Sequence, residues 1–284
     1  MEINMKKTIM KYLIIALAVT FSGSGIVSQE QKVPDFFNEV MKFRIDMKGF
    51  QIGSILMRTK VANDNHIQIN ASIYSFKSIQ GLYYVRGTFG AVWNYKSRRS
   101  YLAWEDVYQG YQYQQRSYKF LYNKVDIKKR EKEFSEAGYP HSGKIKRDKT
   151  KEKTLAVKGY EYNDLLGAFY YMRTGGKSPE IGSVTKLKVL PAGQKKIMYI
   201  KVIEKTTMYV KSLKEKRSVF HIRTGIIDEK EKMGGGDIFI STDTPVDIFI
   251  TDDEDFIPVL MYTKVPVLGK VEVILDEYQQ VKSN

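Results

Sequence analysis

The chain has no cysteine, and only three histidines, seven prolines and two tryptophans among 284 residues. Without cysteine there is no disulfide, no thiolate nucleophile, no thiolate metal site and no lipid-modified cysteine. The histidines, His66, His141 and His221, are far apart and none stands at metal-ligand spacing from another. Each therefore reads as a surface or packing residue. No serine lies in a nucleophile elbow. Gly175-Gly176-Lys177-Ser178 has the ending of a phosphate-binding loop, but Tyr171 stands where the first glycine should be and the segment follows a predicted helix rather than a strand. The sequence thus offers no catalytic residue, no metal site and no cofactor motif. The apolar run Tyr12 to Phe21 is about ten residues long, where a membrane-spanning helix needs about 20.

That run is instead the middle of a leader. Lys6, Lys7 and Lys11 flank its start, and small residues follow at Ser22-Gly23-Ser24-Gly25. Basic, apolar and small, in that order, is the layout of a secretory signal peptide. Residues 1–28 are expected to be removed, leaving 29–284 as a single β-rich exported domain in a periplasm or associated with the envelope. No transmembrane helix is expected in the mature chain. The net charge is +14, and losing the three lysines and Glu2 with the leader leaves about +12. Such a balance favours anionic surfaces, which in an envelope means lipid headgroups or glycans. Nucleic acid is not an expected partner, because an exported protein rarely meets it.

The mature sequence is patterned for strands. Hydrophobic residues make up 43% and aromatics 13%, with 20 tyrosines, a composition that favours β-structure. Apolar residues alternate at Met41, Phe43 and Ile45, at Ile67, Ile69, Ala71 and Ile73, at Val246, Ile248 and Ile250, and at Val271, Val273 and Leu275. Ile238 and Ile240 suggest one more strand. The first strand turns over Gly49 to Gly53 and returns through Ser54 to Val61, and a short helix is possible over Ser75 to Leu82. Further strands are predicted over Ile197 to Ile203, Thr206 to Val210 and Ser218 to Arg223. From Lys128 to Lys153 charge rises and apolar patterning collapses, which reads as a solvated strand pair with a loop, or as a basic patch for an anionic partner. One helix is expected near 164–173, capped by Asn163 or Asp164, with Leu165, Leu166, Phe169 and Met172 on one face and its polar positions turned outward. The fold class is mainly β: an antiparallel curved sheet, barrel or half-barrel, with one packed helix.

Several of these stretches carry a resemblance. Ile250-Thr251-Asp252-Asp253-Glu254-Asp255-Phe256-Ile257-Pro258-Val259, then Leu268-Gly269-Lys270-Val271 and Leu275, resemble the end of the bacterial exported family called domain of unknown function 3108. The likeness extends to Asp164 through Arg173, to Phe43-Arg44-Ile45 and to Gly53. The family has no established activity, so the resemblance implies no catalytic residue.

Candidate binding residues come from the aromatic stretch Tyr83 to Tyr122, where rings interleave with arginines. Trp93, Arg98, Arg99 and Trp104, with Phe169 on the helix, are the ligand-binding candidates, since aromatic faces beside cations stack on sugar rings. The competing reading is that tyrosines packing their rings into a sheet are ordinary strand residues. The carboxylates Asp252 to Asp255 match no calcium loop and read as a hairpin corner. Three classes of function remain. A curved sheet around a cavity would bind an apolar or amphiphilic envelope component. A filled sheet with an exposed aromatic stretch 83–122 would be a surface module for glycans or an envelope assembly partner. A hydrolase, the least favoured, would need convergent carboxylates or histidines. N-terminal sequencing of the exported chain is expected to begin near Gln29, and a mature chain starting at Met1 would contradict the leader.

Overall fold

A computed structural model describes residues 37–63, 65–76, 84–136, 143–174, 179–229, 245–265 and 269–281. The leader, His141, the Gly175 to Ser178 segment, the strand expected at Ile238 and Ile240, and nearly all of the short helix expected after Ser75 lie outside the described residues. Fifteen strands and one described α-helix follow one another: β1 (Glu39–Met47), β2 (Phe50–Asn63), β3 (His66–Ser75), β4 (Val85–Asn94), β5 (Arg99–Gln109), β6 (Gln112–Leu121), β7 (Lys124–Phe134), β8 (Ile145–Ala156), β9 (Tyr162–Asn163), α1 (Leu165–Arg173), β10 (Val184–Val189), β11 (Lys196–Val210), β12 (Glu215–Asp228), β13 (Val246–Thr251), β14 (Pro258–Val265) and β15 (Gly269–Gln280).

All fifteen strands form one sheet in the order β8-β7-β6-β5-β4-β3-β2-β1-β15-β14-β13-β12-β11-β10-β9. Neighbours in this order pair antiparallel, apart from the short parallel contact of β9 with β10. The first and last strands, β1 and β15, pair with each other in the middle, while β8 and β9, neighbours in the chain, stand at opposite edges. In the central strands the alternate apolar positions fall on one face, and Met41, Phe43, Ile45, Ile69, Val273 and Leu275 are all buried there.

Helix α1 touches β4, β5 and β10. In the sheet order β5 and β10 are ten places apart, about 48 Å on a flat sheet at ~4.8 Å per strand. A nine-residue helix is only ~14 Å long. The sheet must therefore curl around α1, with the apolar face inward. This enclosure corrects the expected outward polar face: Leu166 through Tyr170 are all buried and Arg173 is 1% exposed, as in a helix surrounded by core. Burying Leu166 and Phe169 stabilises the fold by roughly 1.5–3 kcal/mol each.

Both ends of α1 are satisfied. The Asp164 carboxylate accepts from the backbone N–H groups of Leu166 and Gly167 at 2.8 and 3.0 Å, and Ser100 Oγ donates to it at 2.6 Å. Burial pushes the Asp164 carboxyl up to about 6, against the lowering effect of these hydrogen bonds. At the far end Arg98 donates to the Thr174 carbonyl, placing a cation at the negative end of the helix. The Arg173 guanidinium pairs with Glu39 of β1, Nη2 to Oε2 at 2.9 Å, and also donates to the Asp255 carbonyl at 2.8 Å. Tyr170 donates to the same carboxylate at 2.6 Å. Both members of the ion pair are fully removed from solvent. Burial opposes the Arg173 charge, but the adjacent Glu39 carboxylate outweighs it and raises the pKa.

The turn expected over Gly49 to Gly53 is only two residues, Lys48 and Gly49, with φ of 52° and 82°. Positive φ at both central positions is the two-residue hairpin geometry that matches strand twist. Gly53 lies inside β2, where a Cβ would come within 2.6 Å of the Tyr74 carbonyl oxygen of β3. The strands expected at Ile197 to Ile203 and Thr206 to Val210 are one strand, β11, with a bulge between Val202 and Glu204. The acidic corner Asp252 to Asp255 joins β13 to β14. Asp253 Oδ1 accepts from Thr251 Oγ1 and from the backbone N–H groups of Asp255 and Phe256.

On the outer face of the second half, His221 of β12 lies between Asp247 of β13 at 2.8 Å and Glu204 of β11 at 3.3 Å. The ring of Phe249 stacks on it at 4.6 Å, and Arg223 donates to Asp247 at 2.8 Å. The hydrogen bond to Asp247 is the main influence raising the His221 pKa above its ordinary 6.5, with burial opposing and Glu204 adding to it. Burial pushes the Asp247 carboxyl the other way, but His221 and Arg223 prevail and lower it. Because the folded state binds the His221 proton more tightly, its contribution is fully present below the unfolded value and is lost as pH rises through the folded value. Denaturant unfolding of His221→Gln is expected to show a stability loss that is largest in mildly acidic solution and shrinks with rising pH. A loss independent of pH would mean that the imidazolium has no part in it.

Candidate functional site

Strands β4 to β8 bring distant residues into two straight rows on the face opposite the core. The pairing runs Thr88 to Asp106, Asp106 to Gln115, Gln115 to Arg130 and Arg130 to Thr150. The neighbouring row runs Gly90, Trp104, Ser117, Lys128 and Glu152. Cross-strand partners share a face, so both rows point outward together. All of the first row, with Trp104, Ser117 and Lys128 of the second and with Glu105 and Arg116, lines a groove of about 670 Å³.

Trp104 is the aromatic part of this groove, and Gly90 is the reason for its position. A Cβ at residue 90 would collide with the six-membered ring of the indole, so the ring lies flat over the bare backbone of β4. An indole held that way has one face on the sheet and the other toward the groove. Polar groups surround it. Tyr113 donates to Asp106 at 3.1 Å, and burial, then Asp106, raises the tyrosine pKa. Arg130 holds Asp148 through two hydrogen bonds at 3.0 and 2.7 Å, which lower the Asp148 pKa. Lys128 pairs with Glu152 at 2.9 Å. These cations and carboxylates largely compensate each other, so the groove offers hydrogen bonds and a flat ring more than net charge. Hydrolysis of a glycoside requires two carboxyl groups facing each other across the sugar. Here Asp106, Asp148 and Glu152 are each already engaged by a neighbour.

The five residues singled out from sequence go to different places. Trp104 is in the groove. Trp93 and Phe169 are in the core at 0% and 1% exposure. Arg98 caps α1 and stands 5.6 Å from the Tyr171 ring. Arg99 is half-buried at the start of β5. Thr88, Asp106, Gln115, Arg130 and Thr150 escaped sequence reasoning, because only the register of five strands aligns them. One local signal existed, Gly90 inside a predicted aromatic strand stretch, since a glycine in a strand marks close approach of another group. Among the described residues no three His, Asp or Glu side chains converge as metal ligands, and no helix is long and apolar enough to cross a membrane.

Comparison with known proteins agrees with this architecture. A crystal structure of a β-barrel-like protein of domain of unknown function DUF1849 from Brucella abortus is similar with a TM-score of 0.57 and 9% identity, covering 87% of this chain and 99% of that one. A putative exported protein with a YmcC-like fold from Bacteroides fragilis aligns over 92% of this chain and 99% of its own at 5% identity, with a TM-score of only 0.32. No curated protein matches. The profile of the family described as "Protein of unknown function (DUF3108)" matches residues 42–276. That span runs from β1 into β15 and contains α1 and the whole groove, so the chain belongs to the DUF3108 family.

Proposed function

We propose that this chain is an exported, non-enzymatic binding module that holds a glycan in the groove on the outer face of β4 to β8. The observation that carries this reading is the Trp104 indole laid flat over Gly90, beside rows of hydroxyl, amide and charged groups. Sugar rings present apolar C–H faces to an aromatic plane and hydroxyls to the groups around it. Thr88, Asp106, Gln115 and Thr150 supply donors and acceptors at strand spacing. The leader pattern at residues 1–28 and the positive net charge support an envelope setting, where glycans are abundant.

The other reading opened by the sequence, an apolar or amphiphilic ligand inside the sheet, would require space on the inner face. Part of that face is already taken by α1 and by the buried Arg173 and Glu39 pair. The groove makes no such demand.

The chain has two tryptophans, and only Trp104 reaches the groove while Trp93 is enclosed. Titration with chito- and cello-oligosaccharides is therefore expected to change the tryptophan emission of the native protein. Measured by calorimetry, the affinity of Trp104→Ala should be about tenfold or more lower, as expected for loss of an aromatic stacking partner, with the melting temperature little changed. An oligosaccharide response that persists undiminished in Trp104→Ala would contradict the proposal, as would the absence of any response.

A further inference from the structure

Strand β8 ends the sheet. Its inner edge pairs with β7 along its length, and among the described residues nothing pairs with its outer edge. Every residue from Ile145 to Thr154 is exposed. Near its end Lys153 donates to the Gly193 carbonyl at 2.8 Å, so the open part of the edge runs from Ile145 to Glu152.

The side chains of this edge are sorted by face. Asp148, Thr150 and Glu152 point to the groove side, where Arg130 and Lys128 neutralise the two carboxylates. Arg147, Lys149 and Lys151 point to the other side, and there the edge carries positive charge alone. Behind them in β7, Glu133, Glu131 and Lys129 occupy the paired positions, and Glu131 is already bound to Lys129 at 2.5 Å. Lysines scattered along an edge serve to discourage unwanted pairing. The pattern here goes further: on the groove side Lys146 is followed by Asp148 and Glu152, whereas Arg147, Lys149 and Lys151 succeed one another on the other side with no carboxylate between them.

We propose that the open edge of β8 accepts an extended polypeptide with acidic residues at alternate positions, which joins the sheet as a further strand. Two features select this partner together. The unpaired backbone N–H and C=O groups of the edge call for another main chain, as in strand addition by other sheet edges. Arg147, Lys149 and Lys151 recur every ~6.8 Å, the two-residue repeat of a strand, and directly opposite side chains in a pair come within about 5 Å. An Asp or Glu at every second position of the incoming strand would meet each cation in turn. A second copy of β8 is disfavoured by like charge along the same face. The inference uses the free edge and the face turned away from the groove, so it stands or falls separately from glycan binding.

The probe is a synthetic peptide of about ten residues, a common strand length, alternating Glu and Thr. Binding to the full-length mature chain is measured by calorimetry at low salt, with hydrogen exchange read on β8. The peptide is expected to bind, to protect β8 amides, and to weaken as salt rises. A peptoid with the same side-chain order keeps the charge but has no backbone N–H, and should bind about tenfold or more weakly. The Lys149→Glu, Lys151→Glu double variant should lose binding. Equal affinity for peptide and peptoid would overturn strand addition in favour of simple polyanion adhesion, and undiminished binding by the double variant would overturn the site. Dimers in native mass spectrometry that persist with peptide in excess would assign the edge to a second copy instead and equally overturn it.

Discussion

Arg173 and Glu39 are both taken fully out of water, and that costs several kcal/mol per ion unless each meets the other with good geometry. The rest of the architecture satisfies this condition. Glu39 is the first residue of β1, Arg173 the last of α1, and the Asp255 carbonyl that shares the guanidinium belongs to the turn between β13 and β14. Three parts of the chain that are remote in sequence must therefore converge on one point inside the sheet. Only a sheet curled around α1 brings them there. Tyr170 contributes its hydroxyl to the same carboxylate, which leaves the buried charge hydrogen-bonded from two sides.

A curled sheet with a helix in its hollow has its apolar positions committed to folding. The outer face is where the groove lies, and the two halves of the sheet use it differently. In the second half the outer cluster around His221 is tightly paired and reads as a local electrostatic support. In the first half the outer rows of β4 to β8 stay open around Trp104, and the last strand keeps a free edge. The sheet order accounts for this asymmetry. Because β1 pairs with β15 in the middle, the edges are left to β8 and β9, which the chain joins directly through residues 157–161. Pairing strands as remote as β1 and β15 is also the step with the largest loop-closure cost, so this chain is expected to fold slowly for its size.

Much of this was legible in the sequence, and the failures have identifiable causes. Val271, Val273 and Leu275 alternate cleanly because β15 has one wet face and one dry one. The helix was legible from Asp164 and the leucines after it, and the family likeness rested on the same residues. Strand β14, Pro258 to Val265, went unnamed because proline opens it and apolar residues occupy consecutive positions. β11 looked like two strands because its bulge shifts the alternation by one residue. The charged stretch from Lys128 to Lys153 reads as a solvated strand pair and is one, β7 and β8, although an edge strand exposed on both faces has no apolar period to fix its bounds. The burial of Arg173 could not be read locally, because its partner lies far away in β1. The groove was illegible for the same reason: Thr88, Asp106, Gln115, Arg130 and Thr150 are aligned by register alone, and register is a property of strand pairs.

The central claim is that the hollow of the sheet is a packed interior held by a desolvated ion pair. Equilibrium unfolding of Arg173→Met, Glu39→Met and the double variant tests it directly. The single variants each leave a buried charge without its partner and should lose about 3–5 kcal/mol, while the double variant, with neither charge present, should recover most of that loss. If Arg173→Met cost less than about 1 kcal/mol, the value typical of a solvated pair, the helix would not be enclosed and this account of the fold would be contradicted.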